Sequence, residues 1–170
     1  MEEHKFIFRR AEIDDMKPVR EMIQDLLEFE NNAPTVTEEG LIKESGLAGG
    51  DERCHIYILE IEKPEGSEPI AIGYAICYFS YSTWQGRTYF LEYLYVRPEY
   101  RGINAGTFLF RNVAAKAKFY NCKRLDFHVK STFPSRKCFE KNGAINLTEA
   151  EEWLCYTVPQ NQLQILTETL

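Results

Sequence analysis

The apolar positions of this chain switch repeatedly between two periods. Phe6, Ile7 and Phe8 form a short apolar run ahead of Arg9 and Arg10 and read as a first strand. Ile13-Asp14-Asp15-Met16 is an acidic helix entry, after which Val19, Ile23, Leu26 and Leu27 recur at helical spacing to about Glu30. Asn31-Asn32-Ala33-Pro34 ends that helix. Thr37-Glu38-Glu39-Gly40 opens a short second helix through Leu41 and Ile42, which stops in the loop of Gly46, Gly49 and Gly50. Three strands follow: His55 to Ile61, Ile70 to Tyr81 and Tyr89 to Val96. They are joined by a hairpin tip from Lys63 to Pro69 and by the turn Trp84-Gln85-Gly86-Arg87, a pattern that predicts an antiparallel meander. Leu109, Val113 and Ala117, with Phe110 and Ala114 beside them, restore the helical period over Thr107 to Tyr120. Arg124 to Lys130 then reads as a strand, so strand, helix and returning strand form a parallel crossover unit. Pro134-Ser135 opens a helix through Cys138 and Phe139, closed by Asn142-Gly143. Trp153 to Val158 reads as a last strand, followed by a weakly helical tail after Pro159.

The stretch Tyr89 to Gly106 breaks this pattern in two places. One carboxylate, Glu92, stands inside an otherwise apolar strand, where a charge is costly unless paired, solvated or used. Pro98 stops the strand, and Arg101-Gly102-Ile103-Asn104-Ala105-Gly106 runs into a helix. A glycine-bearing turn at a helix N-terminus presents backbone N–H groups to an anion, so a strand carrying a carboxylate leads into a phosphate-binding turn.

Composition narrows the classes. A chain of 170 residues with 44% hydrophobic and 27% charged residues fits one globular domain, 1–170, and no linker or repeat divides it. No apolar run reaches the roughly 18 residues of a membrane span, and MEEHKFIFRR carries no secretory core, so a cytoplasmic protein without a membrane partner is expected. The five cysteines are scattered and odd in number, with no CxxC pair; reduced structural thiols and no metal site are expected. His4, His55 and His128 lack partners at catalytic spacing and read as structural. A net charge of −6 disfavours a nucleic-acid partner and suits a cationic small substrate, though acidity also serves solubility alone.

Strand, then Arg-Gly-x-x-x-Gly, then helix resembles the acetyl-CoA-binding signature of the Gcn5-related N-acetyltransferases, with Arg101 and Gly106 at its ends and Asn104 where the central glycine is usual. Asparagine is the best non-glycine residue for a left-handed backbone. YSTWQGRTYFLEYLYVRPEYRG, residues 81–102, and NLTEAEEW, residues 146–153, resemble the diamine/thialysine acetyltransferase branch. The resemblance implies a single α/β domain with a central mixed, twisted sheet, helices on both faces and the order β-α-α-β-β-β-α-β-α-β. It implies a homodimer that moves the acetyl group of acetyl-CoA to a primary amine of a small molecule. Glu92 then matches the base that takes the amine proton, and a raised pKa is expected of it in an apolar cleft. A structural carboxylate paired with Arg87 or Arg97 is the alternative. Leu94, Tyr95, Val96, Arg101, Gly102, Ile103, Asn104, Ala105, Gly106 and Thr107 match the cofactor-binding stretch. Glu30, Ser82, Trp84, Glu92 and Tyr93 match the amine-binding positions. Trp84 and Tyr81 either wall the amine site through cation–π contact or serve as hairpin packing. The relatives that take polyamines carry acidic residues at 82 and 93; Ser82-Thr83-Trp84 resembles the thialysine type instead, and Tyr93 removes a charge that both types share. The relatives also carry a general-acid Tyr where this chain has Phe139, between Ser135 and Gly143-Ala144. KSTFPS is also one residue shorter than usual. A slow enzyme is one reading, and a CoA-binding or regulatory homodimer of this fold is the other.

Overall fold

Five strands hydrogen-bond in their chain order: β1 (Phe6–Arg10), β2 (His55–Ile61), β3 (Ile70–Ser82), β4 (Gly86–Val96) and β5 (Leu125–Phe127). The computed structural model describes residues 4–30, 32, 35–63 and 67–167. The expected helix stop at Asn31, Ala33 and Pro34 and the hairpin tip at Pro64-Glu65-Gly66 lie outside the described residues. β1 to β4 pair antiparallel, and β5 joins β4 in parallel through the helix α3 (Ala105–Phe119), which supplies the crossover.

Strand alternation gives the sheet two buried faces. On one, Met16, Val19, Met22 and Ile23 of α1 (Met16–Phe29) and Leu41 of α2 (Glu38–Glu44) share a core with Ile56, Ile58, Tyr74 and Tyr95. On the other lies α3, with the Phe108 ring 5.4 Å from that of Phe6 and the Phe110 ring 5.6 Å from that of Phe127. Each large side chain so withdrawn from water contributes about 1.5–3 kcal/mol. A polar pin runs through the α3 side: His55 Nδ1 lies 2.6 Å from the Tyr89 hydroxyl, which lies 3.1 Å from that of Tyr57. Burial holds the His55 imidazole below its usual pKa, in keeping with a structural histidine.

The described residues fall into two compact units, divided between His128 and Val129. In the second, Arg136 of α4 (Arg136–Lys141) pairs with Glu140 at 3.3 Å and with Glu149 of α5 (Leu147–Glu151) at 3.5 Å. The helix α6 (Gln160–Thr167) follows.

Two expected strands differ. Residues 153–158 form no strand among the described residues: α5, which the sequence pattern did not signal, ends at Glu152 in a left-handed conformation with φ 60°, and the residues after it are exposed. An apolar run marks a segment as able to pair, but a strand exists only against a partner. β5 covers three residues rather than the expected Arg124 to Lys130, because its ladder to β4 stops at Leu91↔Phe127.

Gly73 fixes how closely β3 and β4 approach. A Cβ there would stand 2.5 Å from the Tyr95 carbonyl oxygen and 3.3 Å from a Val96 methyl. Gly73→Ala should therefore force the strands apart and destabilise the protein by about 1–3 kcal/mol, read as a lowered denaturant midpoint. An unchanged midpoint would contradict this packing.

Candidate active site

The β3–β4 ladder runs Tyr74↔Tyr95, Ala75↔Leu94, Ile76↔Tyr93 and then jumps to Cys77↔Leu91. Glu92 is the residue left over, the extra member of a β-bulge. The insertion reverses which face each following side chain meets. Before it, Tyr89 contacts Tyr120 at the end of α3, and Leu91 pairs with Phe127, which packs on α3. After it, Tyr93 and Tyr95 belong to the core of α1. The bulge also coincides with the end of the β5 ladder, so residues 92–96 of β4 continue beyond their last β5 pair at Leu91.

Glu92 is exposed, which corrects the expected apolar cleft: the strand's apolar neighbours point into its two cores, and the bulged residue is turned to water. Nor does it take the alternative partners. Arg97 approaches Asp25 at 3.9 Å, and the Arg87 guanidinium lies 4.9 Å over the Phe79 ring. Its charge reaches the Tyr78 hydroxyl, whose pKa is raised first by burial and then by Glu92. Tyr78 stacks on Phe90 at 5.1 Å, and Phe90 meets His128 edge-on at 5.1 Å. Tyr78 lies in the aromatic run Tyr74 to Tyr81, whose composition signals core and a covered surface rather than a neighbour of Glu92.

Past β4 the chain turns sharply. Pro98 to Tyr100 form one 3-10 turn, Gly102 takes φ 81°, and Asn104 takes φ 68° and ψ 6° as the cap of α3. Asn104 thus adopts the left-handed backbone expected of it, and its side chain makes no capping bond. The first amides of a helix have no acceptor within it, so those of Ala105 and Gly106 are aimed at the space before α3. That space is open: a Cβ at Gly102 or Gly106 would meet nothing within 4 Å. The Arg101 side chain turns back instead, donating from Nε to the Val96 carbonyl at 2.9 Å and lying 5.5 Å over the Tyr95 ring. What this turn offers an anion is backbone N–H groups and the α3 dipole, an arrangement that fits a diphosphate.

The amine-binding positions are less uniform. Glu30 caps the C-terminus of α1, half-buried, and its charge together with Tyr93 and Tyr95 bears on the buried Tyr74 hydroxyl, which burial above all pushes to a raised pKa. Glu30 and Tyr93 are thus brought to one region, around a tyrosine that sequence reasoning had placed in the core. Ser82 is buried, and its Oγ accepts from the amides of Trp84 and Gln85 at 3.3 Å, which fixes the β3–β4 turn. Trp84 and Tyr81 are both 77% exposed, so neither is hairpin core packing. Phe139 lies half-buried in α4, its amide bonded to the Ser135 carbonyl at 3.2 Å. The thiols of Cys54, Cys77 and Cys122 are all raised, that of Cys77 by burial to about 12, which leaves them poor nucleophiles. No helix among the described residues is long and apolar enough to cross a membrane.

Comparison with known proteins adds to this geometry. The profile of the acetyltransferase (GNAT) family matches residues 17–144. Bovine thialysine N-epsilon-acetyltransferase is 34% identical over 155 residues, covering 88% of this chain and 90% of the relative. The Caenorhabditis elegans protein of the same name is 29% identical over 146 residues, 84% and 85% of the two chains. Among solved structures, an integron cassette protein from the V. cholerae mobile metagenome superposes with a TM-score of 0.70 at 19% identity, covering 96% of this chain and 98% of that one. The Brucella melitensis ribosomal-protein-alanine N-acetyltransferase gives 0.62 at 16% identity, over 91% and 99%. By the profile match and these relatives, the chain belongs to the acetyltransferase (GNAT) family and is an N-acetyltransferase whose co-substrate is acetyl-CoA.

Proposed function

We propose that the chain acetylates a primary amine of a small basic molecule, a diamine or a thialysine-like amino acid, with Glu92 as the base. The observation that carries this reading is the bulge at Glu92. It sets a solvent-reachable carboxylate beside the stretch of β4 that runs beyond β5, a few residues before the diphosphate-fitting turn. Acetyl-CoA supplies an acyl group activated as a thioester. Glu92, directly or through water, takes the proton from the ammonium. The freed amine attacks the carbonyl carbon, the C–N bond forms, the C–S bond breaks to release a thiolate, and the second proton shed by nitrogen passes, directly or through water, to that thiolate. Residues 94–96 and 101–107 hold the donor, and Glu30 and Tyr93, with Ser82 and Trp84 at the hairpin end, border the acceptor.

The same reading treats 1–170 as one acetyltransferase domain, which the family match supports by running across the division at His128. It takes the enzyme to be cytoplasmic and homodimeric. The exposed Trp153, Leu154, Tyr156 and Val158 support a covered surface there. A second reading, a CoA-binding protein with little turnover, is favoured by Phe139 in place of a tyrosine acid and by Asn104 in place of glycine. Turnover of acetyl-CoA with a panel of amines separates the two.

Gly106→Glu puts a side chain and a negative charge into the open space before α3 without disturbing packing, and should abolish CoA binding in calorimetry while the fold persists. Asn104→Gly relieves the left-handed backbone and should tighten CoA by no more than about 1 kcal/mol. Full affinity in folded Gly106→Glu would remove this turn from the cofactor site.

Glu92→Gln keeps the shape of the bulged residue and cannot accept the proton. Steady-state turnover near neutrality should drop about 100-fold or more, with acetyl-CoA affinity unchanged. Retained turnover would reduce Glu92 to a charge beside Tyr78.

Phe139→Tyr restores a hydroxyl at the position matched to the acid. Thiolates leave tolerably near neutral pH because thiol pKa values are about 8.5, so the wild type should be slow rather than inert. The variant should speed single-turnover acetyl transfer by up to about 100-fold, the gain fading as pH nears the tyrosine value of about 10. No acceleration in a variant that binds acetyl-CoA would rule position 139 out as the acid.

A further inference from the structure

Among the described residues, the Tyr74 hydroxyl is the buried side-chain group that finds no hydrogen-bond partner. The residue is 0% exposed, in the core that α1 shares with the sheet. The fold treats the fully buried tyrosines of its other face differently. There the Tyr57 and Tyr89 hydroxyls lie 3.1 Å apart, and Tyr89 continues to His55 Nδ1 at 2.6 Å. A hydroxyl taken out of water costs stability unless it is bonded, and protein interiors bond nearly all of theirs. Packing does not call for this one. The Tyr74 ring lies 5.9 Å from that of Tyr95 and shares its core with Ile56 and Ile58, contacts that a phenylalanine ring would make as well.

The groups around that hydroxyl belong to the amine side of the site. The bulge at Glu92 turns Tyr93 to this face, where it packs against the same core one pair along the ladder from Tyr74↔Tyr95. The charge of Glu30, at the end of α1, reaches the hydroxyl too. Asp25 on the same side approaches Arg97 at 3.9 Å instead. Glu30 and Tyr93 are the positions read above as bordering the acceptor, and the C-terminal end of the α1 dipole adds negative potential that suits an ammonium there.

We propose that Tyr74 is a positioning residue for the acceptor: when the ammonium pairs with Glu30, the Tyr74 hydroxyl donates to that carboxylate and fixes it. The inference rests on the acceptor site proposed above and adds to it one residue that does not touch the substrate. A carboxylate has lone pairs for an ammonium and a hydroxyl together, and a charged acceptor makes the stronger bond. The gain then appears as affinity for the amine, while the same hydroxyl lowers the stability of the protein on its own.

The test is Tyr74→Phe, which removes the hydroxyl and keeps the ring, with thialysine and putrescine as acceptors. The melting temperature of the protein alone should rise by about 2–4 °C, because an unbonded buried group is gone. The KM for the amine should rise about 5- to 10-fold, with kcat and the calorimetric affinity for acetyl-CoA unchanged. In a Glu30→Ala background the same substitution should leave kcat/KM where it was, since the carboxylate it positions is absent. A lowered melting temperature would mean that the hydroxyl is already bonded within the protein, by a trapped water for example, and would overturn the proposal. So would an unchanged KM in the more stable variant, or a KM effect that persisted without Glu30. A wild type that acetylated neither amine would overturn the acceptor site and this role together.

Discussion

A β-strand can serve only one face at each parity, and β4 has to serve two. Its first half closes the α3 side of the sheet through Tyr89 and Leu91, and its second half closes the α1 side through Tyr93 and Tyr95. An unbroken alternation would send Tyr93 and Tyr95 to the wrong core. The single extra residue at Glu92 resolves this, and its consequences spread outward. It breaks the ladder where β5 stops pairing, and it turns one side chain out of both cores. A residue expelled from both cores is free to be charged. The same local defect therefore lets an apolar strand carry a carboxylate and leaves β4 extending beyond β5.

The turn before α3 is a second constraint, tied to the first through Arg101. Its guanidinium is spent on the last carbonyl of β4 and on the Tyr95 ring, so it locks the loop to the strand rather than to an incoming anion. What faces the open space is backbone. That explains why a glycine and an asparagine with positive φ matter here while side-chain identity matters less, and why Gly106 stands where added atoms would meet no protein. Backbone amides fixed by a helix need no reorganisation when an anion arrives.

Most of this was legible in the sequence where local chemistry decides the outcome. The strands β1 to β4, the crossover helix and the left-handed Asn104 follow from periodicity, from the place of Pro98 and from the conformational range of asparagine. What the sequence withheld depends on partners. The run at 153–158 is apolar enough for a strand, yet it pairs with no strand among the described residues. Glu92 was visible as a conflict, but its exposure was not, because a bulge reads as one residue too many only when the opposite strand is in register beside it. Ser82 was matched to the substrate end; in the structure its hydroxyl already holds two turn amides.

The surroundings of Tyr74 bear on how this site meets an amine. Position 93 is a tyrosine where the resemblance sets an acid in both the polyamine and the thialysine types, so it does not separate the two. Burial keeps the Tyr74 hydroxyl neutral, since its raised pKa lies far above physiological pH. Glu30 at the end of α1 and Asp25, 3.9 Å from Arg97, both put carboxylates on the α1 side, with Tyr93 and Tyr95 beside them on β4. Carboxylates and aromatic rings together suit an ammonium through ion pairing and cation–π attraction. That balance fits the amine acetyl transfer that its family carries out.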